Sequence, residues 1–161
     1  MISNELLIEM VNKALDKLYE NDKILIQNDV HEQTIVSRFT KYFENIFEAM
    51  INDIELSVDN EYNRDILSED TYKKIKYSGL DHKIKPDFIL HKRGSNDKNI
   101  LVIEFKKEWI IDTKGKKGDV RKLTLLTDLS LRYKYQLGLY IEFAKKREHV
   151  LISKYINGKN I

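Results

Sequence analysis

Four consecutive apolar residues, Ile100-Leu101-Val102-Ile103, run straight into Glu104-Phe105-Lys106, and this stretch constrains the fold of the 161-residue chain more tightly than any other. Such an uninterrupted run, rich in β-branched side chains, fits a strand covered on both faces. A charge closing a buried strand needs a reason, because a carboxylate removed from water is costly unless a cation or hydrogen bonds receive it. Side chains alternate along a strand, so Glu104 and Lys106 share one face while Phe105 enters the opposite layer.

Residues 87–92 give a second strand signal, and the intervening Arg93-Gly94-Ser95-Asn96-Asp97-Lys98 has the composition of a chain reversal. Strands 87–92 and 99–106 therefore read as an antiparallel hairpin. In that arrangement the start of the first strand lies beside the end of the second, which brings Asp87 near Glu104 and Lys106. Pro86, the only proline, favours extended backbone at Lys85. Two neighbouring carboxylates stay ionised only with a cation between them, a lysine or a divalent metal, and oxygen ligands suit Mg2+.

Around the hairpin the chain reads as follows. Leu7, Met10, Val11, Ala14, Leu15 and Leu18 recur at helical spacing over residues 4–19, with Ser3 or Asn4 as the cap. A second helix follows Asp29 and carries Ile35, Phe39, Phe43, Ile46 and Met50 on one face. From Ile54 the period changes to two, through Leu56 and Val58, which fits a half-buried strand. Residues 65–85 are polar and aperiodic, with room for a short helix. Lys114-Gly115-Lys116-Lys117-Gly118 reads as a mobile basic loop, after which Asp119 caps a helix carrying Leu123, Leu126 and Leu129. Two strands, near 134–143 and 149–156, complete the order. The expected class is α/β or α+β, a mixed sheet flanked by helices. Length and a 42% hydrophobic content allow one core, hence one domain over residues 1–161, with 1–28 as an N-terminal helical extension.

Composition narrows the chemistry. There is no cysteine, which removes disulfides and thiolate metal sites and fits a reducing cytoplasm. No export signal or long apolar span is evident, so a soluble cytoplasmic protein without membrane contact is expected. The net charge of +2 conceals an asymmetry: residues 1–70 hold 6 Lys+Arg against 16 Asp+Glu, and residues 71–161 hold 22 against 10. A basic second half suits a polyanionic partner.

Pro86-Asp87 followed by Glu104-Phe105-Lys106 resembles the PD-(D/E)xK nuclease superfamily, whose motif is an acid on one strand and Glu-x-Lys on the next. The likeness extends to restriction-endonuclease-like bacterial proteins through Glu32 on an early helix, Asp59-Asn60-Glu61-Tyr62-Asn63-Arg64, His91-Lys92-Arg93-Gly94 and Asp119-Val120-Arg121-Lys122-Leu123. It spans residues 29–143. The resemblance implies that Asp87, Glu104 and the main-chain carbonyl of Phe105 hold Mg2+, with Mn2+ as the alternative ion. Lys106 would orient or deprotonate the attacking water, Glu32 would assist, and the product would carry a 5′-phosphate. Lys116, Lys117, Arg121 and Lys122 are the expected phosphate contacts, on DNA first and RNA second, and a homodimer is the assembly that would cut both strands.

Several residues carry a plainer alternative. Glu32 is spaced with Asp29 as a capping box, yet it shares the stripe of Ile35, Val36 and Phe39 and so points towards the sheet. Asp59 and Glu61 either complete a second metal site or form the solvated face of their strand. Lys122 contacts a phosphate or makes an exposed pair with Asp119. His91 lies about 13 Å along the strand from Asp87 and reads as structural. Tyr133, Tyr135 and Tyr140 offer faces for bases, but Tyr135, Leu137, Leu139, Ile141 and Phe143 alternate as core, which gives the aromatics an ordinary packing role. Gln136 and Tyr140, spaced as in another branch of the superfamily, fall on a strand rather than a helix, which sets that match aside. Two rival functions remain: a non-catalytic nucleic-acid-binding or nucleotide-sensing module of a larger defence or repair system, and a protein-interaction domain, against which the basic second half argues.

Overall fold

In a computed structural model, which describes residues 2–51, 53–64, 72–77 and 80–161, the two long amphipathic stretches are helices α1 (Asn4–Asn21) and α3 (Glu32–Met50), joined through the short α2 (Lys23–Gln27). Ser3 caps α1 by accepting the Leu6 N–H at 3.2 Å. The capping box for which Asp29 and Glu32 are spaced, the plainer alternative for Glu32, does not form. His31 is the N-cap and accepts from Gln33 N–H, while Asp29 adopts φ 52° and binds Lys107 and Trp109 instead.

Six strands make one mixed sheet in the order β1 (Ser57–Asn60), β4 (Phe88–His91), β5 (Asn99–Lys107), β6 (Leu137–Phe143), β7 (Leu151–Ile156) and β8 (Lys159–Asn160). The β5–β6 pair is parallel and every other pair antiparallel. The parallel pair demands a crossover, and α4 (Thr113–Thr127) supplies it across one face. On the opposite face α1 and α3 pack over Phe88, Leu90, Leu101, Ile103, Phe105, Leu139 and Ile141. The buried residues of α1 belong to this same core. Phe105, fully buried, stacks on Phe143 and meets the Phe39 ring edge-on, each with centroids 5.0 Å apart. The α4 face closes over Ile89, Val102 and Tyr140. At Gly138 a Cβ would stand 2.8 Å from Thr127 Cγ2, so this glycine lets the helix lie directly on β6.

Four expectations need correction. The strand begins at Ser57 rather than Ile54, which is 94% exposed, because Asp53 takes the Glu55 and Leu56 N–H groups and holds 53–56 in a turn. Within the stretch read as aperiodic, β2 (Lys74–Tyr77) and β3 (Leu80–Lys83) form a separate hairpin; residues 65–71 and 78–79 lie outside the described residues, and the short helix falls partly there. The basic segment 114–118 is the first turns of α4, not a loop. Asp112, not Asp119, is its cap, taking Gly115 N–H at 2.8 Å, and a Cβ at Gly115 would sit on the Asp112 carboxylate, so glycine here closes the cap. Finally, Tyr135 does not alternate with Leu137. Lys134 has φ 51° and the strand starts only at Leu137, so Tyr135 joins the α4-side cluster, and Leu129, beyond the end of α4, is 55% exposed.

Among the described residues no helix is long and apolar enough to cross a membrane.

Candidate active site

The hairpin register fixes the centre. Phe88 pairs with Ile103, so Asp87 and Glu104 occupy the next rung, and alternation turns both towards the α4 face. β4 stops at this point, leaving the edge of β5 beyond Ile103 without a strand partner. Carboxylates take the ladder's place: Asp87 Oδ2 accepts the Phe105 N–H at 2.8 Å, and Glu32 Oε2, at the first turn of α3, accepts the Lys107 N–H at 3.1 Å. Within a strand the N–H and C=O of one residue face the same edge, so the Phe105 carbonyl opens on the side held by these two acids.

Glu104 is 1% exposed. Its Oε2 accepts from Lys122 Nζ at 2.6 Å, and its Oε1 has no hydrogen-bond partner. Lys122 lies one helical turn beyond Asp119 on α4 and reaches Asp119 Oδ1 at 3.4 Å; Asp119 Oδ2 in turn meets Lys106 Nζ at 3.4 Å. Asp112 stands at 4.0 Å from Lys106 but is 44% exposed and occupied as a cap. The inner group is thus Glu32, Asp87, Glu104 and Asp119 with Lys106 and Lys122, four negative charges against two positive.

That imbalance shows in the proton affinities. Burial pushes the Glu104 carboxyl well above the usual carboxylate range; Lys122 opposes the rise, while Asp87 and Asp119 add to it. Asp87 is raised by burial, against the pull of the Phe105 N–H and Lys122. Glu32 is raised by burial, with Lys106 opposing and Asp87 contributing. For both lysines burial disfavours the ammonium, but the carboxylates win: Asp119 and Glu32 hold Lys106 above its ordinary value, and Glu104 and Asp119 do so for Lys122.

No protein-family profile, curated protein or solved structure matches the chain. The site therefore has to be read from its own geometry.

Of the sequence-derived residues, Asp87, Glu104, Lys106, Glu32 and the Phe105 main chain come together. Among the described residues no three Asp, Glu or His side chains form a metal-holding group; an ion on the Asp87–Glu104 rung would have two carboxylates and the Phe105 main-chain oxygen to draw on. The orphaned, fully buried Glu104 Oε1 and the deficit of two positive charges fit such an ion. Lys122 does not make an exposed pair: with its side chain 18% exposed, it binds the buried Glu104 as well as Asp119. Lys116 is turned away, its Nζ 2.5 Å from Glu142 Oε1 and over the Tyr140 ring. Lys117, Arg121 and Lys122, with Lys114 on α4 and His82 and Lys83 on the β2–β3 hairpin, line a cleft of about 730 Å³ that includes Asp119.

Asp59 and Glu61 are engaged elsewhere. Asp59 binds His91 Nε2 at 3.0 Å and Arg93 Nε at 2.8 Å, and Glu61 meets Lys85 at 2.7 Å and Gln33 at 2.6 Å. His91 is a buried structural residue, as its spacing indicated. Tyr133, Tyr135 and Tyr140 are all buried, which removes them as stacking platforms, and Gln136 binds Ile2 and Asn4 rather than approaching Tyr140. Asp119 was missed as a member of the site. Its signal was present: with α4 starting at Asp112, Asp119, Lys122, Leu123 and Leu126 fall on one sheet-facing stripe.

Proposed function

We propose that this chain is a metal-dependent endonuclease that hydrolyses phosphodiester bonds, with DNA as its first substrate. What carries the reading is the Asp87–Glu104 rung: a half-buried acid at the start of β4 and a fully buried one on β5, beside Lys106, the buried one with a carboxylate oxygen that no protein group satisfies. Asp87, Glu104 and the Phe105 carbonyl would hold a divalent cation, Mg2+ or Mn2+. When bound, that ion supplies Lewis-acid stabilisation of charge developing on the phosphate oxygens.

The chain's own groups do the rest. Lys106, whose ammonium is favoured by Asp119 and Glu32, stays charged at neutral pH and therefore acts by donating hydrogen bonds to water and phosphate, not as a base. Glu32 is the better proton acceptor, because burial raises the proton affinity of its carboxylate. Water adds to phosphorus in line with the departing 3′ oxygen, its proton passing to Glu32; the new P–O bond forms as the P–O3′ bond breaks, and the departing 3′ oxygen takes a proton from solvent to leave as the hydroxyl. The cleft lined by Lys117 and Arg121 reaches this group through Asp119, which meets Lys106, and through Lys122, and it suits the polyanionic strand.

The rival reading, nucleic-acid binding without hydrolysis, has one observation in its favour: Lys122 already neutralises Glu104 Oε2. Supercoiled plasmid with Mg2+ separates the two. The wild type is expected to nick it, while Asp87→Ala and Glu104→Ala lose nicking and keep salt-sensitive binding to DNA. Nicking that persists in both variants rejects the assignment, and a wild type that binds but never cuts favours the rival.

A further inference from the structure

Lys122 occupies a position that a bound cation would contest. Its Nζ lies 2.6 Å from Glu104 Oε2 and 3.4 Å from Asp119 Oδ1, and its side chain is 18% exposed. The same residue lines the basic cleft, so its flexible four-carbon stem is rooted between two environments, the acids on one side and the cleft on the other. A divalent ion on Glu104 would stand next to this ammonium, and two cations at contact distance repel strongly where water is scarce.

We propose, resting on the nuclease reading above, that Lys122 is a displaceable counter-ion: it holds Glu104 while no divalent cation is present, and moves into the cleft onto a phosphodiester oxygen when one binds. The α4 backbone need not shift, since only the lysine stem rotates. Metal and polyanion then assist one another. The ion expels the ammonium that the phosphate receives, and a phosphate in the cleft lowers the cost of expelling it. By linkage the assistance is equal in both directions. Lys122 is in this account a positioning residue for the cation, distinct from Lys106.

The test measures binding, not turnover. Mn2+ titrated calorimetrically into wild type and Lys122→Met, without nucleic acid, is expected to bind the variant at least about tenfold more tightly, since an adjacent positive charge is gone. A proton competing for Glu104 also gains from that loss, but a dication gains twice as much, so the sign holds. Lys122→Met leaves Glu104 without its partner, so a measurement on the wild type accompanies it: acetylation of Lys122 followed by mass spectrometry, against the exposed Lys76 as reference. Saturating Mn2+ is expected to raise the Lys122 rate several-fold. If Lys122→Met does not fold, this measurement alone decides. Equal or weaker Mn2+ binding by a folded variant, or a Lys122 rate unchanged by Mn2+, overturns the proposal while leaving the metal site intact. Absence of Mn2+ binding by both proteins overturns the metal site and this proposal together.

Discussion

Asp59→Asn separates structural acids from the candidate site. Asp59 accepts from neutral His91 and from the Arg93 fork, and although burial alone would raise its carboxyl, these hydrogen bonds and the Arg93 charge bring it down from 3.8 to about 2. Because the folded value lies below the unfolded one, the contribution is present at neutral pH and disappears as pH falls through about 2. The difference corresponds to about 2.5 kcal/mol, reduced to about 2 kcal/mol for the solvent around Arg93. Urea unfolding of wild type and variant at pH 7 should show that gap, with a melting temperature lower by about 5–8 °C. At pH 3 the gap should shrink to about half. Mn2+ binding and plasmid nicking should survive, since the Asp59 carboxylate, although its backbone sits on the Ile89 rung, is held by His91 and Arg93 at the end of β4 remote from Asp87. A variant of unchanged stability, or one that loses Mn2+, would refute the assignment of Asp59 to a β1–β4 clamp.

Three further outcomes follow from the same geometry. Phe105→Ala empties the space between Phe39 and Phe143 and should lower stability by about 3–5 kcal/mol, measured by denaturant unfolding. Replacing both Lys117 and Arg121 by alanine should reduce the slope of log affinity for DNA against log salt by roughly 1–2, with Mn2+ binding unchanged. Burial raises the folded Glu32 carboxyl, so its contribution to stability is full at acid pH and is lost as pH climbs through the raised value; Glu32→Gln should flatten that decline in thermal melts across the acidic range.

The hairpin and its charged rung were legible because strand alternation and antiparallel register are rigid rules: once Ile100–Ile103 is a strand, Glu104 and Phe105 must part company. Glu32 was legible as sheet-facing for the same kind of reason, through its helical stripe. The parallel β5–β6 pairing was not, since it joins residues more than thirty apart that local pattern does not connect; the β2–β3 hairpin is local, but its polar residues 74–83 carry no clean apolar alternation to announce a strand. The start of α4 was misread because glycine and lysine density favours a loop, while the structure uses Gly115 to admit the Asp112 cap. That single boundary hid Asp119 and misplaced Lys122, whose partner Glu104 lies on another element.

The central claim is that Asp87 and Glu104 share one divalent cation. Anomalous scattering from crystals grown with Mn2+ tests it directly. The expected result is one strong peak in direct contact with an oxygen of each carboxylate and with the Phe105 carbonyl, absent from Asp87→Asn. Mn2+ bound only elsewhere, or no peak at saturating concentration, would contradict it.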